Sequence, residues 1–144
     1  DVGTENVVQE GKEGKKLTKY LVRYNQNSEI YRAELSSNVI SEAKNIVRDE
    51  YADADLSLDT VCSKLGVSNS YFSSIFKKET GQSFVAYLTG YRMEKAARML
   101  VETSEKSYMI AKSVGYTDPN YFSYVFKRQY GVSPSKYRTE YESN

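Results

Sequence analysis

The stretch YFSSIFKKETG (Tyr71 to Gly81) returns fifty positions later as YFSYVFKRQYG (Tyr121 to Gly131). Six of the eleven positions are identical, and Ile75/Val125 and Lys78/Arg128 are near-equivalents. Internal repetition constrains a fold more than any compositional average, because both copies must solve the same packing problem. The repeat also reaches further upstream. VCSKLG (Val61 to Gly66) is matched by IAKSVG (Ile110 to Gly115), offset by 49 rather than 50. The one-residue difference falls between GVSNS and GYTDPN, where a turn can absorb it.

Each copy therefore reads as helix, glycine turn, helix, the layout of a helix-turn-helix unit. Stop and start signals set the expected boundaries. A first helix is expected from Val39 to Tyr51, and Ser57 caps a second that ends at Gly66. A third runs after Ser68 and closes at Gly81. Ser83 is expected to cap a long fourth helix, from Phe84 to Val101. Gly90 inside it implies a close backbone approach, since glycine there costs about 1 kcal/mol relative to alanine. Ser107 is expected to cap a fifth helix ending at Gly115. Asp118-Pro119 and Ser133-Pro134 open a sixth and a seventh, each with a polar cap before a proline at the first helical position. The expected fold is all-α: seven helices, with helix-turn-helix units at residues 57–81 and 107–131 joined by a linker helix at 83–101. Residues 1–38, beginning with the polar run DVGTENVVQEGKEGKK, read as a flexible lead-in before a domain at 39–144. Within the lead-in, LTKYLVRY (Leu17 to Tyr24) reads as helix or irregular linker, with a hairpin into EIYRAEL as the alternative.

Two absences narrow the chemistry. The chain has no histidine and one cysteine, so neither an imidazole base nor a zinc site of the usual ligands can be built. No glycine-rich phosphate loop occurs, and no metal or cofactor is expected. No run of eighteen apolar residues is present, which argues against a membrane span. The lone cysteine fits a reducing, cytoplasmic setting.

The net charge of +1 conceals a separation. Arg48 to Asp59 carries five acidic residues against one arginine; Lys64 to Arg98 carries six basic and two acidic; Lys112 to Arg138 carries five basic and one acidic. Charge distribution decides whether a surface can hold a phosphate backbone. In the second helix of each unit, Phe72, Ile75 and Phe76, and likewise Phe122, Val125 and Phe126, mark one apolar face. The opposite face presents Ser70, Ser73, Ser74 and Lys77 in the first copy, and Asn120, Ser123, Tyr124 and Lys127 in the second. Small polar groups allow a helix deep into a major groove, while basic residues reach phosphates. A linker of roughly 27 Å would set the two readers near the 34–36 Å of one DNA turn. The two stripes differ, so a non-palindromic site is expected.

GVSNSYFSSIFKKETGQSFVAYL, YRMEKAARML and GYTDPNYFSYVFKRQYGVSPSKYR together resemble the DNA-binding domain of AraC/XylS transcription regulators, over about residues 39–140. The resemblance implies two helix-turn-helix units, binding to double-stranded promoter DNA in the bacterial cytoplasm, and activation of transcription, with RNA polymerase a further partner. It places Ser70, Ser73, Ser74, Pro119, Asn120, Ser123 and Tyr124 at base edges. Ser68, Asn69, Lys77, Lys78, Lys127 and Arg128 are expected at phosphates. Arg92 and Ala96 occupy structural positions of the linker helix. Three serines in the first reader depart from the longer side chains often found there and are expected to discriminate bases weakly, since a hydroxyl can contact several bases; Asn120, whose amide can pair bidentately with adenine, is the better specificity candidate. Such a domain is normally coupled to a sensory or phosphorylation-receiver domain, expected here outside the chain.

Two other classes compete. A helical protein-interaction module would turn the same stripes toward an acidic partner, with a shallower salt dependence than DNA gives. An alkyl-transfer enzyme would use Cys62 as nucleophile, but Cys62 falls where helices must pack, with no base to activate it.

Overall fold

The computed structural model describes residues 28–143, and all seven elements in that span are helices. They are α1 (Ser28–Glu50), α2 (Leu58–Leu65), α3 (Asn69–Thr80), α4 (Phe84–Glu102), α5 (Ser107–Ser113), α6 (Pro119–Tyr130) and α7 (Pro134–Ser143). Among the described residues no strand forms. The LTKYLVRY segment lies outside them. The chain divides into two compact units, 28–46 with 57–84 and 47–56 with 85–143 of the described residues.

In the first unit, α2 begins where the sequence places its cap. Ser57 Oγ accepts the Thr60 N–H and Thr60 Oγ1 accepts the Ser57 N–H, a reciprocal box that satisfies two orphan donors. Gly66 ends the helix in the left-handed region at φ 71°. Ser68 then caps α3. Val61, Cys62, Leu65, Phe72, Phe76 and Phe84 are all buried. The rings of Phe72, Phe76 and Phe84 meet pairwise at 5.4–5.5 Å, Phe84 edge-on to the other two.

The second unit buries Met93, Ala96, Ala97 and Leu100 of α4 with Ile110, Ala111 and Val114, and with Phe122 and Phe126 of α6. Ala96, expected at a structural position, is wholly buried. Tyr130 and Tyr137 extend the packing, their rings 4.6 and 5.4 Å from Phe126. Two arginines fasten loops to this core. Arg92, 8% exposed, donates from Nε to the Tyr51 carbonyl and from Nη2 to the Asp53 carbonyl, both at 2.8 Å. Arg138 does the same to Leu100 (2.8 Å) and Thr103 (3.1 Å) at the end of α4. A cationic fork suits such sites, because the last carbonyls of a helix lack partners within it.

Three expectations change. Helix α1 begins at Ser28, not Val39, so residues 28–38 of the expected lead-in are helical. Ser36 is 8% exposed and turns its hydroxyl back to the Ala33 carbonyl at 3.1 Å. Lys106 rather than Ser107 occupies the cap position of α5, without a side-chain hydrogen bond. Gly90 has no close backbone neighbour: a Cβ there would meet only Gln129 Nε2 at 4.0 Å. The crowded glycine is Gly115. It sits at φ 99°, and a Cβ would lie 2.8 Å from the Tyr51 carbonyl oxygen and 2.9 Å from Arg92 Nε.

Gly90→Ala is accordingly expected to stabilise the chain by about 0.5–1 kcal/mol. Gly115→Ala should destabilise it by more than that, through strain and loss of the Arg92 clamp. Urea denaturation of the two variants beside wild type measures both signs.

Candidate nucleic-acid interface

Burial of one helix face defines the other. Phe72 and Phe76 are fully buried on α3, and Phe122 and Phe126 on α6. On α3 this leaves Ser70, Ser73, Ser74, Lys77 and Lys78 exposed; on α6 it leaves Pro119, Asn120, Tyr124, Lys127 and Arg128 exposed, with Ser123 half-buried. The anticipated outward residues are thus brought together on each helix, Ser123 less openly than the rest.

Their hydrogen-bonding state leaves these groups open to a partner. Hydroxyls inside helices commonly turn back to the carbonyl one turn earlier. Thr80, Thr103, Ser113 and Thr139 do so, to Phe76, Met99, Met109 and Ser135. The hydroxyls of Ser70, Ser73, Ser74 and Ser123 and the side-chain amide of Asn120 have no hydrogen bond among the described residues. Likewise Lys77, Lys78 and Lys127 form no ion pair among them. Each stripe therefore offers unengaged donors and acceptors, then unneutralised cations one turn on.

The helix starts differ. α3 is capped by a neutral group: Ser68 Oγ accepts the Tyr71 N–H at 3.1 Å and keeps its own hydrogen to donate. Asn69 is not idle, because its Nδ2 donates to Asp59 Oδ1 at 2.6 Å. α6 is capped by a carboxylate, Asp118 Oδ1 accepting the Asn120 N–H at 2.9 Å with Pro119 at the first helical position. A carboxylate complements the positive end of the helix dipole and repels a further anion there.

An aromatic arrangement on the second reader went unnoticed in the sequence. Tyr121 and Tyr124 stack with ring centroids 6.2 Å apart and planes 30° apart, 54% and 56% exposed. The Arg128 guanidinium lies over the Tyr124 ring at 5.8 Å. Tyr116 supports Tyr121 from the other side at 6.1 Å. Burial pushes the Tyr116 hydroxyl up from its ordinary pKa, the Arg92 guanidinium working the other way. Three- and four-residue spacing at 121, 124 and 128 carried this signal.

Cys62 is 2% exposed, and burial, followed by the charge of Asp59, pushes its thiol up. A nucleophilic cysteine needs the opposite shift and an open approach; Cys62 is a packing residue. Among the described residues no cluster of three or more potential metal ligands occurs, and no helix is long and apolar enough to cross a membrane.

Comparison with known proteins agrees with this geometry. The helix-turn-helix domain family matches residues 61–140. A second family, the G5 domain, matches residues 1–48, of which 28–48 lie in α1. The Msm operon regulatory protein of Streptococcus mutans is 33% identical over 105 residues, covering 73% of this chain and 37% of its own length. The C-terminal domain of the two-component response regulator yesN from Fusobacterium nucleatum is 40% identical with a TM-score of 0.68, covering 70% of this chain and 98% of that one. The C-terminal domain of AraT, a response regulator from Geobacillus stearothermophilus, is also 40% identical, with a TM-score of 0.70 over 71% of this chain and 84% of that one. The chain belongs to the AraC/XylS family of transcription regulators, and its two helix-turn-helix units make up that family's sequence-specific DNA-binding domain. It spans well under half the length of the curated relatives it matches.

Replacing Asp118 by alanine removes the α6 cap and is expected to cost about 1 kcal/mol of stability. Thermal unfolding followed by circular dichroism checks it, with Ser113→Ala, whose hydroxyl caps nothing, as the neutral reference.

Proposed function

We propose that this chain is the DNA-reading output module of a bacterial, cytoplasmic transcription regulator, one that activates promoters carrying a two-part, non-palindromic site. Each unit would lay its second helix in the major groove. Ser70, Ser73 and Ser74 read one part; Pro119, Asn120, Ser123 and Tyr124 read the other. Lys77, Lys78 and Lys127 hold phosphates, joined by the free hydrogen of Ser68 and the second amide hydrogen of Asn69. The observation that carries this reading is the duplicated stripe of unengaged polar groups followed by unpaired lysines.

The relatives support the wider setting. Two of them are C-terminal domains of response regulators, which favours a receiver or other sensory domain attached to this one in the intact protein. Promoter activation further implies contact with RNA polymerase. No step in this function calls for a cofactor or a reacting group.

Selection of bound fragments from random duplex DNA tests the proposal. Specific fragments should emerge, and affinity should fall with salt on a log–log slope near −5 if about six phosphates are neutralised. A shallow slope with no enriched sequence would instead indicate a protein-interaction module. On a selected fragment, Asn120→Ala is expected to cost about 1–3 kcal/mol and to relax one base position. Lys77→Ala and Lys127→Ala should weaken binding to all sequences alike, each reducing the slope by about 0.9; a changed sequence preference would refute their assignment to phosphates.

A further inference from the structure

The second unit carries an aromatic chain that the first lacks. The Arg92 guanidinium lies over Tyr116 at 5.5 Å, Tyr116 meets Tyr121 at 6.1 Å, Tyr121 stacks on Tyr124, and the Arg128 guanidinium lies over Tyr124 at 5.8 Å. Tyr116 also packs on the buried Phe122 at 5.7 Å. The corresponding positions of the first unit are Val67, Tyr71, Ser74 and Lys78. Only the tyrosine at 71 is shared.

Two large rings are more than half exposed on a reading face, where apolar area in contact with water is unfavourable. They are also held from both ends, so ordering them on contact loses little rotamer freedom. In the major groove just one base presents an apolar group: thymine, through its C5-methyl. Arg128, whose guanidinium lies over Tyr124, is placed to hold that ring.

Resting on the DNA-binding role above, we infer that the Tyr121–Tyr124 pair reads a thymine methyl, with Tyr124 the specificity-determining residue and Arg128 a positioning residue. This replaces the phosphate contact expected of Arg128. It also assigns the second unit an apolar readout that the hydroxyl-bearing first unit cannot perform.

The test uses the full chain and the tightest duplex it selects from a random pool, with each thymine replaced in turn by deoxyuridine, which removes only the methyl. At one or two positions binding should weaken roughly three- to fivefold, the value of burying one methyl group. Tyr124→Ala should bind thymine and uracil equally there, whereas Tyr124→Phe, which keeps the ring, should retain the preference. Arg128→Gln should shrink the thymine-to-uracil ratio while leaving the salt slope unchanged. A bound duplex with no uracil-sensitive position, or a preference that survives Tyr124→Ala, overturns this inference alone. An Arg128→Gln variant with an intact ratio and a slope reduced by about 0.9 returns Arg128 to the phosphates. A pool yielding no bound fragment overturns DNA binding and this readout together.

Discussion

A pair of phenylalanines one helical turn apart, buried to the last atom, sets the orientation of the second helix in each unit. Phe72 and Phe76 on α3, and Phe122 and Phe126 on α6, leave no rotational freedom for their helices. Burying such a ring is worth roughly 1.5–3 kcal/mol, so rotating either helix to hide its serines or lysines would cost several times what those polar groups could regain. The outward face is therefore determined by the inward one. A stripe that can meet a groove exists because its opposite stripe has nowhere else to go.

The arginine clamps solve a second problem, how to hold the loops that follow α1 and α4. The segment between α1 and α2 carries Asp53 and Asp55, and through residue 56 it belongs to the second unit. Arg92 fixes it through main-chain carbonyls, which do not depend on the side chains of the loop. Arg138 treats the segment after α4 in the same way. The two arginines are not counterparts in the repeat: the residue matching Arg138 is Leu88, and the one matching Arg92 is Glu142. The same physical device arose one helical turn apart. Arg92 also makes Gly115 obligatory, because its guanidinium fills the space a Cβ would take.

Much of this was legible from local chemistry. Ser57, Ser68 and Asp118-Pro119 start helices, and Gly66, Gly81 and Gly131 stop them, because caps and left-handed residues act within a few positions. What escaped depends on partners distant in sequence or on cooperativity. The extension of α1 back to Ser28 runs through Ser36-Ser37-Asn38, residues of low helix propensity; a helix already nucleated downstream continues cheaply through them. Lys106 needs no capping side chain, since the turn before α5 is held by Arg138 and by Thr103, whose Oγ1 accepts the Glu105 N–H. Gly90 and Gly115 could not be told apart, because crowding at a glycine is a property of what folds against it. For the reading faces, spacing gave position but not engagement: that Asn69 is tied to Asp59 while Asn120 is free appears only in three dimensions.

The pattern of identity between the copies separates the jobs of these residues. Within the repeated eleven-residue phrase, the two phenylalanines and the closing glycine are held by burial or by backbone conformation. Lys77 and Lys127 are also identical, though both are exposed. Packing does not explain a shared exposed cation; under the proposed DNA-binding role a shared phosphate lattice would, since every duplex presents the same backbone. The outward positions that differ most in size and polarity are 74 against 124, a hydroxyl against an aromatic ring. Bases differ from one half of a site to the other, while phosphates do not. On the proposed role, the unit keeps its core, its cation and the serine at 73 and 123, and the outward position that changes most, 74 against 124, is the one proposed to tell the two halves of a site apart.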